Sequence, residues 1–414
     1  MPRNMRMPLM LYDTMGGKKR PFKALHGKRV GIYTCGPSVY SLSHIGNFRT
    51  YLFEDILVRY LRYKGYHVKR VMNITDIEDK AIAEAARAGK SLSELEAPKI
   101  KAFLKDFDTL KMQRPDVIAK ASDHVPQMLR MIDRICRRGY CIENREGIYF
   151  DVRKSDGYGD LRHLKRRDYL GKARGDDYSK EGLWDFVLWR RWTKKDGDAR
   201  WDGGPLGDGR PGWHIECSAM STHYLGATFD IHCGGSDNIF PHHENEIAQS
   251  KAANGKTPAN FWMHARHLTI GKKKMSKRTG NVVHVTELLE AGIHPQCLRF
   301  YLISERYRHP LDFTYERFEG KVCACENVSR LIGRLKRIRR KGAGAAGKTI
   351  SAKLIADFER AMDDDLDTRK AFDSVFRSFG LIMKSIEDGA ITEKDARAII
   401  KTIRKIDAVL QVFF

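Results

Sequence analysis

The sequence predicts an α/β fold, in which a parallel sheet is split by an insertion and followed by an all-α bundle. Three observations indicate this arrangement. Strand and helix patterns alternate early in the chain, glycine-rich irregular sequence then interrupts them, and a helical pattern runs to the last residue. The 414 residues suffice for two or three domains. The order of these patterns favours a layered α/β protein with a helical appendage.

The first strand–helix–strand unit carries the clearest pattern. Residues 30–34 form an apolar, β-branched run that ends at Gly36, which predicts a buried strand. Residues 47–64 have apolar side chains at helical spacing, and residues 67–74 predict a second strand. A strand, a helix and a strand of these lengths form a βαβ unit, whose strands are parallel.

The middle of the chain divides the predicted sheet. Residues 78–140 are mostly helical and charged in pattern, whereas residues 141–210 contain many glycines and predict loops and short strands. Strand patterns return at residues 228–232 and 261–267. We therefore expect residues 1–125 and 211–320 to form the two halves of the sheet domain, with an insertion at 126–210.

The end of the chain predicts a helical domain over residues 321–414. Residues 330–341 contain seven Lys or Arg and no acidic residue, and a linker of small residues follows at 342–347. Helical patterns then cover residues 354–366, 371–386 and 396–412. Together these segments predict a bundle of about four helices.

Charge and cysteine content limit the class of protein. The formal net charge of +23 favours a polyanionic partner, either nucleic acid or a membrane surface. We expect no membrane anchor and no signal peptide, because no apolar run approaches the roughly 20 residues that a spanning helix needs. The eight cysteines are too sparse for a disulfide scaffold, which favours a reducing, cytoplasmic location.

A candidate phosphate-binding loop lies between the first strand and the first helix. It contains His44, Gly46 and Asn47. This position, at the carboxyl end of a parallel strand and the start of a helix, is where open α/β sheets bind nucleotides. His44 and Asn47 would donate to phosphate oxygens, and Gly46 would allow close approach. The alternative is an ordinary turn and helix cap.

A second candidate is the basic loop at residues 271–281, which contains Lys274 and Lys277 between glycines. Such a loop can hold a triphosphate and stabilise charge that develops at phosphorus. A solvated basic loop is the alternative. Gly235 and Asp237, which follow another strand, could hold a ribose hydroxyl or form only a turn.

A candidate metal site combines distant segments. Cys35 follows the first strand, Cys217 lies in the segment His214-Ile-Glu-Cys217-Ser, and His242 and Glu246 are four residues apart on one helical face after Pro241. Two thiolates, an imidazole and a carboxylate form a plausible zinc set. The alternative is a pair of buried cysteines beside a polar helix start. The residues that compete as ligands are His243, Glu244 and Cys233.

Two further segments receive structural interpretations. Cys323 and Cys325 are expected to be helix residues rather than metal ligands. The carboxylates of residues 76–79 follow the second strand and could cap a helix.

Taken together, the motifs resemble class I aminoacyl-tRNA synthetases, and within that class the cysteinyl-tRNA synthetase family. The two class motifs correspond to His44-Ile-Gly-Asn47 and Lys274-Met-Ser-Lys-Arg278. Family motifs correspond to residues 33–40, 73–80, 212–220 and 240–249. The resemblance implies a Rossmann-like catalytic domain split by an insertion and followed by an all-α helical bundle of the anticodon-binding type.

The resemblance also implies roles for residues. The zinc ligands would be Cys35, Cys217, His242 and Glu246. Trp213 and Thr75 would contact the amino acid, and Gly235 and Asp237 would contact ATP. His44, Asn47, Lys274 and Lys277 would carry catalysis, with Mg²⁺ on the phosphates.

The implied activity is ligation of L-cysteine to tRNA(Cys) at the expense of ATP, through a cysteinyl-adenylate, by a monomer. Pocket shape alone discriminates poorly between cysteine and serine. Zinc prefers a thiolate to a neutral hydroxyl, so we hypothesise that the metal selects the substrate and that no editing domain is needed.

The sequence departs from the family pattern in two places, and there are two alternative functions. The basic loop ends in Arg278 where the family has serine, and only a short region follows residue 327, so the anticodon contacts are open. One alternative is the mycothiol-pathway ligase, which joins cysteine to an amino sugar. The other is a tRNA-binding paralogue without catalysis.

Overall fold

The computed structural model describes residues 8–165, 185–275, 280–342, 344 and 346–414. Its strands are β1 (Met10–Asp13), β2 (Lys18–Pro21), β3 (Arg29–Thr34), β4 (His67–Ile74), β5 (Val117–Lys120), β6 (Cys141–Glu143), β7 (Gly147–Phe150), β8 (Phe186–Arg191), β9 (Gly209–Pro211), β10 (Phe229–Gly235), β11 (Ala259–Ala265), β12 (Leu268–Ile270), β13 (Lys273–Lys274) and β14 (Leu311–Phe313).

The α-helices among these residues are α1 (Ile45–Tyr63), α2 (Asp79–Ala88), α3 (Leu92–Thr109), α4 (Val125–Arg137), α5 (Trp213–Leu225), α6 (Glu244–Asn254), α7 (Val285–Glu290), α8 (Pro295–Ile303), α9 (Tyr315–Arg337), α10 (Ala346–Asp363), α11 (Thr368–Glu387) and α12 (Glu393–Leu410). A π-helical turn, Ile239–His243, precedes α6.

The central sheet is parallel and has the order β11-β10-β3-β4-β5. Strands β10 and β11 follow the insertion, and β10 pairs with β3, with Ile231 opposite Ile32. The two halves of the chain therefore form one sheet. Neighbouring side chains of β3 point to opposite faces, so that Ile32 joins the core around α1 and Tyr33 joins the core around α4 and α5.

The insertion forms its own antiparallel sheet with the order β6-β7-β8-β9. It is attached to the central sheet through α5, which packs against β8 as well as against β3 and β4. A disulfide joins Cys136 of α4 to Cys141 of β6. The low cysteine content did not indicate this bond, because two cysteines five residues apart become neighbours only when the chain turns between a helix and a strand.

The helical region consists of α9, α10, α11 and α12, as the four-helix prediction required. It begins earlier than the pattern indicated, because α9 starts at Tyr315. Cys323 and Cys325 lie within α9, which confirms their interpretation as helix residues. Apolar residues of all four helices belong to the same continuous core as α1.

The sequence predictions missed β5, the N-terminal hairpin and the small sheet of β13, β12 and β14. Strand β5 is only four residues long and half-buried, so its apolar signal is weak within a charged, helical stretch. The N-terminal hairpin of β1 and β2 packs along the edge strand β11, where Thr14 donates its backbone N–H to the carbonyl of Trp262 at 2.8 Å.

Candidate active site

The predicted site residues converge at the carboxyl edge of the central sheet. Strand β3 ends at Thr34, which pairs with Cys233 of β10, so the next residue, Cys35, lies above both strands. Gly36 donates its N–H to Asn73 Oδ1 at 2.9 Å, and a Cβ atom at Gly36 would lie 1.7 Å from the carbonyl oxygen of Asn73. The turn after β3 can therefore approach β4 only because residue 36 is glycine.

Four buried side chains form a cluster with the chemistry of a metal site. Cys35 comes from the β3 turn, Cys217 from α5, His242 from the π-helical turn and Glu246 from α6. Their ligand atoms all lie within 4.8 Å of one another. The backbone at Phe240 is extended, and the helical run that carries His242 and Glu246 starts after it, at the cis-proline Pro241.

The orientation of His242 and Glu246 fits a bound ion. The Nδ1 atom of His242 lies 2.9 Å from Nδ1 of His214, so this bond leaves Nε2 facing the cluster. The Oε1 atom of Glu246 is buried and makes no hydrogen bond, although Nε2 of His242 lies 3.1 Å away. A buried carboxylate oxygen of this kind is satisfied by a metal ion, so the residues present fit one.

The two thiols influence each other. Burial raises the pKa of Cys35 well above its ordinary value, and its hydrogen bond to Cys217 raises it further. Burial also acts to raise the pKa of Cys217, but the hydrogen bonds from Cys35 and His242 outweigh it and lower this pKa to about 6. A cation between them would allow both to ionise, because it offsets the repulsion of two thiolates.

A second set of side chains lies around the same point. Cys35, His232, His243 and Glu246 also have ligand atoms within 4.8 Å of one another. His243 was a competing ligand in the sequence analysis, whereas His232 of β10 and His264 of β11 were missed. Both of these histidines are polar residues near the carboxyl ends of buried parallel strands, which is a signal that could have found them.

The other competing residues face elsewhere. Glu244 accepts a hydrogen bond from the backbone N–H of Arg162 in the insertion, at 3.1 Å. Cys233 belongs to the apolar core around α1, on the opposite face of the sheet from Cys217. Neither belongs to either cluster among the described residues.

A cleft with a volume of about 290 Å³ adjoins the metal cluster, and Cys35 belongs to its lining. Its lining includes Cys35 and residues from the candidate phosphate-binding loop, from the turn at the end of β10 and from the basic loop. These are Cys35, His44, Gly46, Asn47, Gly235, Asp237 and Lys274. The cleft thus joins the candidate metal site to the candidate nucleotide motifs.

The start of α1 forms one wall of this cleft. His44 is the residue before the helix, and Asn47 accepts a hydrogen bond from its backbone N–H at 3.0 Å. A Cβ atom at Gly46 would lie 2.9 Å from the His44 ring. The Asn47 side-chain oxygen therefore caps the helix, as the alternative interpretation of this segment predicted. The cap still leaves the helix N-terminus, which favours anions, facing the cleft.

The opposite wall carries paired charges. Lys274 Nζ lies 3.1 Å from Asp237 Oδ2. Burial acts to raise the pKa of Asp237, but Lys274 and His267 outweigh it and the pKa is lowered. Lys277 and Arg278 lie outside the described residues.

The residues that are expected to contact the amino acid substrate lie beside the metal cluster. Trp213 stacks on His242, with ring centroids 4.3 Å apart, and 40% of its surface is exposed. Thr75 is buried and donates its hydroxyl to Glu216 Oε2 at 3.0 Å. Thr75 also binds the loop after β3 through its backbone, and so holds one side of the cleft in place. Neither residue is among those that line the cleft.

Comparison with known proteins identifies relatives of this chain. Residues 21–322 match the family model of the class I tRNA synthetase (C) catalytic domain. The chain is 41% identical to cysteine–tRNA ligase of Chlamydia pneumoniae over 410 residues, which cover 98% of this chain and 86% of the relative. It is 39% identical to cysteine–tRNA ligase of Brachyspira hyodysenteriae over 412 residues, with the same coverage.

Solved structures agree on the fold. The methionyl-tRNA synthetase of Mycobacterium tuberculosis in complex with methionyl-adenylate superposes with a TM-score of 0.70, covering 93% of this chain and 91% of that one. Its sequence identity is 16%, so this likeness concerns the fold alone. Among the described residues, no helix has the length and apolar character needed to cross a membrane. The matched family model and the near full-length relatives together show that this chain belongs to the cysteinyl-tRNA synthetase family of class I aminoacyl-tRNA synthetases.

Proposed function

We propose that this protein is a cysteine–tRNA ligase that activates L-cysteine with ATP and transfers it to the 3′-terminal adenosine of tRNA(Cys). The observation that carries the proposal is the position of the four-residue metal cluster. It adjoins the cleft that His44, Asn47 and Lys274 line, and Cys35 belongs to both. A sulfur-selective group and a nucleotide-binding edge therefore meet in one cavity.

The first step is the attack of the cysteine carboxylate on the α-phosphorus of ATP, with pyrophosphate leaving. This step needs little proton transfer, so its barrier is lowered by positioning and by stabilisation of charge. The start of α1, His44 and Asn47 would donate to phosphate oxygens from one wall. Lys274 would neutralise the pyrophosphate from the other, Lys277 is proposed for the same role from the resemblance, and Mg²⁺ bound with ATP would supply further positive charge.

The nucleoside end of ATP would lie at the β10 turn. Gly235 and Asp237 both line the cleft, and the lowered pKa of Asp237 keeps its carboxylate charged. A carboxylate at this place would accept hydrogen bonds from ribose hydroxyls, as in other open parallel sheets. Lys274 is paired with Asp237 in the structure and would have to leave it to reach the phosphates, so ATP entry would exchange one ion pair for two separate contacts.

The metal would be zinc, held by Cys35, Cys217, His242 and Glu246. Sulfur and imidazole donors favour zinc over magnesium or calcium. When bound, zinc would supply selectivity for a thiolate over the hydroxyl of serine. The chain's contribution is to orient His242 through its bond to His214 and to cover one face of the His242 ring with Trp213.

The test is an assay of three reactions with the purified protein. Cysteine-dependent exchange of pyrophosphate into ATP measures activation, charging of total tRNA with labelled cysteine measures transfer, and an amino-sugar acceptor in parallel tests the mycothiol-pathway alternative. We expect exchange and charging but no amino-sugar product. A non-catalytic paralogue would show no exchange, and an amino-sugar product without charging would contradict the proposal.

A further inference from the structure

The strand that carries Lys274 lies at the edge of a small sheet. Lys273 and Lys274 form β13, which is only two residues long, and the order of the sheet is β13-β12-β14. Strand β13 pairs antiparallel with β12, with Lys274 opposite Thr269. Both lysines are exposed, and so short a strand at a sheet edge gains little stability of its own. The position of Lys274 therefore depends on what holds this hairpin together.

The turn between β12 and β13 contains an unfavourable residue. Its two central residues, Gly271 and Lys272, both have positive φ, of 56° and 63°. A two-residue hairpin turn of this kind needs positive φ at both positions, which glycine adopts readily and lysine does not. Another part of the chain therefore has to stabilise the backbone at Lys272.

A single carboxylate oxygen stabilises both the turn and the strand before it. Oδ1 of Asp312, on β14, accepts the backbone N–H of Lys272 at 2.9 Å and the hydroxyl of Thr269 at 2.6 Å. The hydroxyl also lies 3.4 Å from the carbonyl oxygen of Leu311, but its one hydrogen has the shorter contact to Asp312. The hydrogen bond from Thr269 helps to hold the pKa of Asp312 below its ordinary value, so the carboxylate is ionised and can only accept.

Asp312 is well placed to act as a fixed point. It pairs with Thr269 in parallel register, and its carbonyl accepts the hydroxyl of Tyr301 at 2.7 Å. Its two neighbours within β14 are buried. Asp312, Thr269 and Lys274 thus lie opposite one another on three adjacent strands, and the carboxylate connects the buried side of the sheet to its exposed edge.

We propose that Asp312 is a positioning residue whose carboxylate holds the turn between β12 and β13 closed and so keeps Lys274 at the cleft. The proposal rests on the proposed function, in which Lys274 neutralises the pyrophosphate, and deepens it by naming what positions that charge. Asp312 is not among the described residues that line the cleft, so it acts through the turn. Without its carboxylate, β13 keeps the anchor at its far end, where buried Met275 donates its N–H to the carbonyl of Leu268 at 3.3 Å, but the turn can open.

The test compares Asp312→Ala, which removes both hydrogen bonds, with Asp312→Asn, whose amide oxygen can still accept them. Hydrogen exchange, resolved to single amides, measures opening of the turn at Lys272. Pyrophosphate exchange at varied ATP and at varied cysteine measures the effect on activation. The melting temperature reports whether either variant loses stability as a whole.

In Asp312→Ala, the Lys272 amide should exchange about tenfold faster, which corresponds to one lost hydrogen bond to a charged group. The kcat/KM for ATP should fall about three- to tenfold, because only the closed turn places Lys274, while the KM for cysteine should stay within about twofold. Asp312→Asn should stay within about threefold of the wild type in every measurement, because its oxygen still accepts both hydrogens.

Three outcomes would overturn the proposal. One is a folded Asp312→Ala protein with wild-type exchange at Lys272. Another is an equal loss for ATP and for cysteine together with a lower melting temperature, which would indicate a merely structural role. The third is an Asp312→Asn protein that behaves like Asp312→Ala, because the accepted hydrogen bonds would then not be the cause.

A second measurement needs no variant. In the wild type, the Lys272 amide should exchange at least about tenfold more slowly than in an unstructured peptide of the same sequence. Exchange as fast as in that peptide would contradict the proposal even if Asp312→Ala does not fold. Hydrogen exchange needs no turnover, so absence of cysteine activation in the wild type would count against the proposed function alone.

Discussion

At the scale of single residues, the metal cluster gives the sharpest expectation. Replacing Cys217 by Ser or Glu246 by Ala removes one ligand directly. Loss of a hydrogen bond behind a ligand already costs about 10–100-fold in metal affinity, so loss of the ligand itself should weaken zinc binding by more than about 100-fold. Metal content after dialysis measures this. Cys323→Ser, at an exposed position of α9, is the matched control and should keep its zinc.

The same variants test whether the metal selects the substrate. We expect the ratio of cysteine to serine activation to fall together with the zinc content. If both variants lose zinc yet still reject serine in the exchange assay, the hypothesis that the metal selects cysteine over serine is wrong.

A buried carboxyl group on α3 gives a pH prediction. Burial, reinforced by Asp76, raises the pKa of Glu96 to about 8. In the unfolded chain the pKa of this residue would be about 4.3, so the folded state binds the proton more tightly. The resulting contribution to stability is full below about pH 4, declines as pH rises, and is lost above about pH 8.

Glu96→Gln should therefore remove this pH dependence. We expect the melting temperature of the variant, relative to that of the wild type, to rise between pH 5 and pH 8.5. Glu290→Gln, at an exposed position, is the control and should show a constant difference. A Glu96→Gln difference that is equally constant would show that Glu96 is ionised in the folded protein.

At the scale of elements, the sequence predicted the parts that local patterns specify. The βαβ unit and the helices of the bundle were predicted because apolar spacing within each element reports its buried face. The carboxylates of residues 76–79 were read as possible helix caps, and Glu78 does accept hydrogen bonds from the first N–H groups of α2. Strand β5 was missed because four half-buried residues give little signal.

The metal cluster was only partly predictable for a different reason. His242 and Glu246 are close because they share a helical turn, which spacing shows. Cys35 and Cys217 meet because β10 pairs with β3 across the insertion and α5 packs on β3, and neither contact has a local pattern. The resemblance to a family supplied that pair, whereas His232 and His264 would have required the strand order itself.

The basic segment at residues 330–341 gives a prediction for one element. It spans the last turns of α9 and the residues after it, where Arg337, Arg339 and Arg340 are exposed. Neutralising these three to Gln should leave cysteine activation unchanged but raise the KM for tRNA. The affinity for tRNA should also depend less on salt. The slope of log K against the logarithm of the salt concentration should become shallower by about 0.7–0.9 for each phosphate that the protein no longer neutralises.

The matched control neutralises three exposed lysines near the N-terminus, Lys18, Lys23 and Lys28. It changes the net charge equally but should leave the tRNA slope as it is. An equal effect in both triple variants would indicate general attraction to the basic surface rather than a tRNA contact on α9.

At the scale of the whole molecule, one buried arginine joins three regions. Arg299 of α8 donates to the carbonyl of Leu110 after α3, to the carbonyl of Leu410 at the end of α12, both at 2.8 Å, and to the carboxylate of Asp55 in α1 at 2.6 Å. The side chain is fully buried, so these acceptors have no access to water. Removing one partner of such a network leaves the others unpaired.

Arg299→Met should therefore destabilise the protein by about 3–5 kcal/mol. Chemical denaturation, followed by tryptophan fluorescence and by helical circular dichroism, measures the loss. Arg317→Met, at an exposed position of α9, should stay within about 0.5 kcal/mol of the wild type. A similarly small effect of Arg299→Met would mean that other buried contacts hold the three regions together.

The Arg299 network also determines where this enzyme can be truncated. The family model ends at residue 322, inside α9, which suggests a cut at that point. Such a truncation would delete the Leu410 acceptor and uncover the apolar face of α1 that α12 covers. The final helix, α12, is thus part of the folding unit of the catalytic domain. A shortened protein for inhibitor screening would have to keep that helix, or carry a redesigned surface in the place that it shields.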